Sequence, residues 1–273
     1  MSTVRITPEI ELQYGCELAR LPDDLRERFI ALDHDEAART FVDAARAAPH
    51  GAARTWIYGV LRSLLSDYDA YGLLDMYPMH LLSTEQLDRL LGGCTRERLL
   101  DIGAGSGRVT AHAAKLFEHV SATETSSVLR RKLRARGFEV IEQDLTYAAL
   151  PARHGLYDVV TGFNVIDRCS HPLTLLRHAI AALKPGGVLI ASVPLPLKPH
   201  VHVGRFTVDQ EERLPAAEET WEAGTASLAT ELLAPLGLEV TTLTRAPYLC
   251  RGDASIPIYV LDAAIFVCNH RPS

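Results

Sequence analysis

The chain reads as an α/β protein: a mainly parallel seven-stranded sheet with helices on both faces, preceded by a helical segment. Three observations predict this. Through roughly the first 95 residues apolar positions recur at three and four, as in Phe41-Val42-Ala45, Trp56-Val60-Leu61-Leu64-Leu65 and Leu87-Leu90-Leu91, the period of helices that bury one face. From Arg98 the texture changes to short apolar runs alternating with amphipathic stretches, the pattern of strands joined by crossover helices. The punctuation agrees, because Gly137 and Lys184-Pro185-Gly186-Gly187 fall where helices should stop.

Taken in order, Ser83 and Gln86 make a capping box that opens the helix through Leu87. Strands are expected at 99–102, 120–123, 138–142, 157–162 and 188–193, with helices between them. A polar, proline-bearing excursion at 196–219 is long for a connection and points to function or mobility. Residues 226–234 then read as a helix stopped by Pro235 and Gly237, and 238–243 and 258–267 as the closing strands. Two units follow: a helical segment at 1–95 on the cap or substrate side, and a catalytic domain at 96–273.

A length of 273 residues suffices for one sizeable core, and 47% hydrophobic with 23% charged residues is a globular balance. No run approaches the ~18 consecutive apolar residues of a membrane span, and the start, MSTVRITPEIELQYG, has acids where a secretory signal has a basic region. A cytoplasmic protein without a membrane partner is expected. The net charge of −6 and pI near 6.0 argue against nucleic acid as a partner. The one dense basic run, Arg130-Arg131-Lys132 with Arg134 and Arg136, shares its helix with Val128, Leu129 and Leu133 and is read as a solvated face. Five scattered cysteines without a C-x-x-C pair predict reduced thiols and no metal site. A monomer is expected.

The run Leu99-Leu100-Asp101-Ile102-Gly103-Ala104-Gly105-Ser106-Gly107 sets a glycine-rich turn between an apolar strand and a helix opening near Val109, where the backbone can approach a ligand closely. Dinucleotide enzymes use a similar turn, so spacing has to decide. Here it is D-x-G-x-G-x-G, with Glu124 at the end of the next strand, where a carboxylate can take both ribose hydroxyls of an adenosine. Asp101 tips the balance, because a carboxylate beside the turn suits a methionyl amine and repels a pyrophosphate. Asp144 ends the third strand, where it can accept from an adenine amine, or serve only as a loop acid; Leu145 follows it. The predicted cofactor is S-adenosylmethionine, released as S-adenosylhomocysteine, on Asp101, Gly103, Ala104, Gly105, Gly107, Glu124, Asp144, Leu145 and Asn164. This set resembles the motifs of class I methyltransferases, which have a Rossmann-like fold.

Ligands of open α/β sheets lie beyond the carboxyl ends of the strands, so the segment after the fourth strand should face the transferred methyl. That segment runs Asn164-x-x-Asp167-Arg168-Cys169-x-x-Pro172-Leu173-Thr174-Leu175-Leu176. It resembles the DREV, or methyltransferase-like nine, group of protein-histidine N-pros methyltransferases. Further likeness lies in Tyr71-Gly72-Leu73-Leu74, Leu82 to Leu87, Ala122-Thr123-Glu124, Trp221-Glu222, Arg245 to Cys250, Gly252-Asp253 and Tyr259 to Asp262. It spans roughly residues 55 to 268, and departures gather in the first ~50 residues and in the excursion. The resemblance implies methylation of Nδ1 of histidine in His-x-His motifs of a protein or peptide, with Asn164 and Asp167 on the substrate side, joined there by Arg168. It also implies that Tyr248, expected in a loop after the sixth strand, walls the groove.

The residues fit that chemistry on their own terms. A neutral imidazole, with an ordinary pKa near ~6.5, is already nucleophilic, so the enzyme needs tautomer control more than a strong base. An acceptor gripping Nε2–H leaves the Nδ1 lone pair free and stabilises the developing imidazolium. Asp167 is the candidate acceptor, with Asn164 orienting the ring or the cofactor. Asp167 could instead cap the helix opening at His171-Pro172-Leu173. A small-molecule acceptor, such as a heterocyclic metabolite, would use the same cofactor residues. His200-Val201-His202 is itself a His-x-His, a self-modification site or two solvent-facing histidines flanking an inward valine.

Overall fold

The computed structural model describes residues 11–47, 50–203, 206–253 and 256–270. Residues 1–10, on which the reading of the chain's start rests, and Gly204-Arg205 within the excursion lie outside the described residues. The leading part holds α1 (Asp23–Arg28), α2 (Glu36–Ala47), α3 (Ala52–Leu61), α4 (Asp67–Leu74), β1 (Met79–His80) and α5 (Thr84–Leu91). Next come β2 (Arg98–Ile102), α6 (Thr110–Ala113), β3 (His119–Thr123), α7 (Ser127–Ala135), β4 (Glu139–Ile141), β5 (Tyr157–Phe163), α8 (Pro172–Ala181) and β6 (Leu183–Leu195). The hairpin β7 (Val201–Val203) and β8 (Phe206–Val208), α9 (Trp221–Ser227), β9 (Leu238–Arg251) and β10 (Ile258–His270) complete the chain.

The main sheet has eight strands in the order β1-β9-β10-β6-β5-β2-β3-β4. It is the expected mainly parallel, Rossmann-like sheet: β4-β3-β2-β5-β6 are parallel, and β10, β9 and β1 add antiparallel neighbours. The strand beyond the expected seven is β1, whose two residues pair with Leu249 and Cys250 of β9. Two residues hold no period, so it was invisible in the sequence.

Side chains of a strand alternate between faces, and this sheet is covered on both. Leu100, Val160, Leu189 and Phe266 pack under α8 and the helix at Leu228–Leu233, whereas Leu99, Val159, Ile190 and Ile265 pack under α5 and α6. Consecutive apolar residues are therefore buried on opposite sides, which is why these strands read as continuous apolar runs. The basic run lies on α7 as expected: Leu129 and Leu133 are buried, while Arg130 and Arg134 pair with Glu142 and Lys132 with Asp75.

Three sequence expectations are corrected. The helix expected at 226–234 begins five residues earlier, at Trp221, because the Thr220 hydroxyl accepts from Ala223 N–H and caps it; residues Leu228–Leu233 continue as a π-helix. Lys184 to Gly187 belong to β6 rather than to a helix stop, since α8 already ends at Ala181. Strand β9 runs on to Arg251, so Tyr248 is a mid-strand residue paired with Leu261 and not a loop residue.

The Ser83–Gln86 capping box is present: Gln86 N–H donates to the Ser83 hydroxyl and Ser83 N–H to the Gln86 side chain, each at 3.2 Å. Gln86 also donates to the Asp33 carbonyl at 3.0 Å, tying α5 to the leading segment. Ser83→Ala should cost about 1–2 kcal/mol, read as a fall in the denaturant midpoint with unchanged slope.

Candidate active site

The order in which strands are laid down reverses at β2, although β2 and β5 run parallel. After β2 the chain winds outward through β3 and β4, then returns to lay β5 against the other side of β2. The carboxyl ends at such a switch point diverge and leave a crevice. A cavity of about 310 Å³ opens there, lined by Gly103, Gly105, Glu124, Asp144, Leu145, Asn164, Arg168 and Tyr248 among the expected residues.

The turn after β2 is held from below. Ala104 N–H donates to the Thr123 carbonyl at 3.0 Å and Gly103 N–H to the Thr123 hydroxyl at 3.3 Å, stitching the turn to the end of β3. Gly105 N–H donates to the Glu124 carboxylate at 2.9 Å, and Ser126 N–H donates to its other oxygen at 2.8 Å. The Thr125 hydroxyl adds a long contact to Oε1 at 3.5 Å; with about two lone pairs on each oxygen, Oε2 retains capacity for a ribose hydroxyl, and Oε1 can take a second by displacing that weak contact. Burial raises the Glu124 carboxyl above its ordinary pKa, and the N–H donors of Ser126 and Gly105 pull it back. Asp144 ends the next connection: its Oδ1 accepts from Thr146 N–H and hydroxyl at 2.9 and 2.6 Å while the residue still faces the cavity. The loop-acid and ligand-facing readings of Asp144 are thus compatible.

The glycines divide by task. At Gly105 (φ +57°) a side chain would point toward the Tyr71 hydroxyl, 3.4 Å from an added Cβ, on the cavity wall. Gly107 (φ +74°) is enclosed instead, where a Cβ would sit 2.8 Å from Leu133 and 2.9 Å from Phe138. Gly107 therefore packs the turn against α7, and neither it nor Ala104 lines the cavity.

Asp101 is also absent from the wall. It lies beneath the turn, 2% exposed, accepting hydroxyl hydrogen bonds from Thr110 at 2.5 Å and Thr161 at 2.7 Å. Its two hydroxyl partners hold it away from the cavity wall, where direct contact with a methionyl amine was expected. Burial pushes its pKa up to about 6, the two hydroxyls opposing this.

The segment after β5 forms the opposite rim. Asn164 adopts a left-handed backbone (φ +55°), sparsely populated for a non-glycine residue. It is over-determined by Ser192 on β6: the Asn164 N–H donates to both the Ser192 carbonyl and hydroxyl at 3.0 Å, and that hydroxyl donates to Asn164 Oδ1 at 2.9 Å. The amide oxygen is thereby fixed, and the Nδ2 donors are left for the cavity. Asp167 is 2% exposed and, like Asp101, does not itself line the cavity, lying between the lining residues Val165 and Arg168; Arg168 Nε approaches its Oδ2 at 3.4 Å, and its Oδ1 is buried with no hydrogen-bond partner among the described residues. Burial raises the Asp167 carboxyl, with Arg168 opposing. It caps no helix: α8 is capped without a side-chain bond at His171, and Glu212 takes the Thr174 N–H instead. Arg168 lies over the Tyr248 ring, 5.7 Å from its centre, and the Tyr248 hydroxyl donates to Met79 Sδ.

The sequence reading missed Tyr68 and Tyr71, which α4 carries onto the cavity wall, and His202 of β7. The tyrosines were within reach, since Tyr71 opens Tyr71-Gly72-Leu73-Leu74, one of the segments that carry the family resemblance. His202 was singled out as one half of a His-x-His, either a self-modification site or a solvent-facing pair, but not as a cavity residue. Val201 is inward as expected, but His202 lines the cavity as well.

The family model for DREV methyltransferase matches residues 13–270. This chain belongs to the DREV methyltransferase family. Among curated proteins the DREV chain is similar to a ubiquinone biosynthesis O-methyltransferase of Ruegeria pomeroyi, 30% identical over 133 residues, which cover 42% of this chain and 54% of that one. One from Cereibacter sphaeroides is 34% identical over 99 residues, covering 35% and 40%. The chain thus spans about half the length of the curated relatives it matches. Among solved structures a DhpI–SAH complex is 21% identical, covering 81% of this chain and 98% of that one with a TM-score of 0.49. The N-methyltransferase NodS from Bradyrhizobium japonicum, with S-adenosyl-L-homocysteine, is 15% identical, covering 69% and 86% with a TM-score of 0.44. S-adenosylmethionine is the cofactor, and the cavity's residues fit it: an open glycine turn and two acids at successive strand ends suit an adenosine.

Glu124→Ala should weaken S-adenosylmethionine binding by ~1.5–3 kcal/mol, and Gly105→Arg should abolish it by filling the crevice; unchanged calorimetric affinities would remove both from the site. Asp101 gives a second test. Its folded pKa lies above the ordinary 3.8, so its favourable contribution is full below that value and lost as pH rises through about 6. Asp101→Asn, which cannot ionise, should therefore gain about 3 kcal/mol of stability relative to wild type between about pH 4 and 7, measured by unfolding without ligand.

Proposed function

We propose that this DREV methyltransferase transfers the methyl group to Nδ1 of a histidine in a protein or peptide carrying His-x-His. The observation that supports this best is the unpartnered, buried Oδ1 of Asp167, beside two residues that line the cavity, Asn164 and Arg168. A buried carboxylate oxygen without a donor is costly, and an imidazole Nε2–H would supply one. With that hydrogen gripped, the lone pair resides on Nδ1 and can face the donor. The bound cofactor contributes an electrophilic methyl on a cationic sulfonium. Asp167, whose carboxyl burial raises above its ordinary range, gains as positive charge develops on the ring. Asn164 is fixed by Ser192 and offers its Nδ2 donors to the same space; Tyr68, Tyr71 and Tyr248 add aromatic walls suited to a planar ring.

A second reading is a small-molecule acceptor, favoured by the likeness to ubiquinone biosynthesis O-methyltransferases. Transfer to a phenol oxygen needs a base to remove the phenolic proton, whereas a neutral imidazole needs none.

Peptides with a small residue before His-x-His should gain one methyl on Nδ1; Nε2-methylhistidine, or label only in a soluble metabolite, would refute the peptide reading. Asp167→Asn should lower the rate by ~10²-fold, about 3 kcal/mol of transition-state stabilisation, with cofactor affinity near wild type. Wild-type turnover should fall below about pH 6, where the substrate imidazole takes up the proton that removes its lone pair.

A further inference from the structure

The excursion between β6 and α9 brings the chain's own histidines to the cavity. His200 N–H donates to the Asp167 carbonyl at 2.9 Å, pinning the base of the β7–β8 hairpin to the loop that carries the candidate catalytic carboxylate. From there β7 runs along the opening, with Val201 buried and His202 on the cavity wall. The His202 ring meets the ring of Tyr68 edge-on at 6.0 Å and that of His200 at 5.1 Å.

The partners of the two rings assign their protons differently. His200 Nδ1 lies 3.0 Å from the Lys198 carbonyl, which only accepts, so Nδ1 carries the hydrogen and has no lone pair to give. For His202 the arrangement is reversed. Its Nε2 faces the Asp67 carboxylate across 3.9 Å, too long for a hydrogen bond but a field that favours a proton on that nitrogen, and the Thr207 hydroxyl, 3.3 Å from Nδ1, can then donate to it. Asp67 is itself held by the Tyr58 hydroxyl at 2.7 Å and by Arg62. Hydrogen on Nε2 and a lone pair on Nδ1 is the tautomer that attacks through Nδ1, once that lone pair turns from the Thr207 hydroxyl to the donor. Burial lowers the His202 pKa below its ordinary 6.5 against a weaker attraction from Asp67, which favours the neutral ring.

We propose that His202 is a methyl acceptor in cis, modified on Nδ1 by the same active site; the proposal rests on the histidine reading given above. The Nδ1 lone pair forms the new N–CH3 bond as the C–S bond of S-adenosylmethionine breaks. The electron pair stays on sulfur in S-adenosylhomocysteine, and the ring then loses its Nε2 proton to solvent.

The test incubates the full chain with isotopically heavy S-adenosylmethionine and maps the product by tandem mass spectrometry. One methyl on His202 is expected, at a rate per molecule that stays the same over a tenfold dilution of enzyme. His202→Gln should lose the label and His200→Gln should keep it within about twofold. Label on His200, a rate proportional to enzyme concentration, or label surviving in His202→Gln overturns the proposal. A His-x-His peptide supplied in trans separates the two readings. Methylated peptide with unmodified His202 rejects the cis acceptor alone; neither methylated rejects both. Independently of turnover, long-range nitrogen–proton NMR of the cofactor-free protein should show the Nε2–H tautomer at His202, and an Nδ1–H tautomer there overturns the assignment.

Discussion

The pairing of β2 with β5 is the constraint from which the site follows. Leu99, Leu100 and Asp101 pair in parallel with Val159, Val160 and Thr161, so the two strands end side by side although the chain between them has built β3 and β4 on the far edge. Parallel pairing sends both carboxyl ends the same way. The glycine turn thus leaves one strand and the Asn164 loop leaves the other across a gap that neither fills. Thr161 does a second job there, donating to Asp101 across the pair, so the same register that opens the crevice also fixes the acid beneath its floor. A one-residue slip would turn Thr161 to the opposite face and leave that acid with Thr110 alone.

Around this gap the protein has gathered three carboxyls, Asp101, Glu124 and Asp167, each with its pKa raised by burial. Charged groups this deep are disfavoured unless something opposes them. Within the chain the opposition comes from hydroxyls at Asp101, N–H groups at Glu124 and Arg168 at Asp167. All three would gain from positive charge in the crevice, which S-adenosylmethionine supplies as a sulfonium and an amine. Asp101 can contribute without touching the ligand, since Coulomb attraction persists beyond contact distance in a medium of low dielectric. The acid of the turn is then a field source under the floor rather than a hydrogen-bond partner on the wall.

How much of this the sequence revealed depends on how local each feature is. The glycine turn, Glu124 one strand later and the capping box at Ser83 are set by neighbours a few residues away, and they were legible. So was the parallel core, because strands buried on both faces have to be apolar throughout. Tyr248 was misplaced because β9 continues past its apolar run through Arg245 and Pro247, which resemble a loop; Arg245 is accommodated by pairing with Asp262 on β10. Gly107 was taken for a ligand-side glycine because the partners that forbid a side chain there, Leu133 and Phe138, come from the end of α7 and the residue just before β4. Tyr68 and Tyr71 reach the wall because α4 docks on α7, where Asp69 accepts from the Ser126 hydroxyl, a contact across 57 residues, and Gly72 packs against Val128 and Leu129.

The excursion after β6 departs most from the family resemblance, yet it is not an appendage. Gln210 donates to the carbonyls of Ile166 and Cys169 at 2.7 and 2.8 Å, bridging the loop that holds Asp167. The N–H groups of Glu211 and Glu212 donate to the Ser170 carbonyl, and Glu212 takes both the N–H and the hydroxyl of Thr174 at the start of α8. His200 holds the same loop from the other side. Each of these bonds satisfies a polar group that β5 and α8 leave open where the chain turns. Replacing the excursion would therefore alter the rim facing the acceptor and release the loop carrying Asp167 together. Substrate choice and the placing of the carboxylate are coupled through one segment, so divergence there is bounded by the need to keep Asp167 buried and Arg168 beside it.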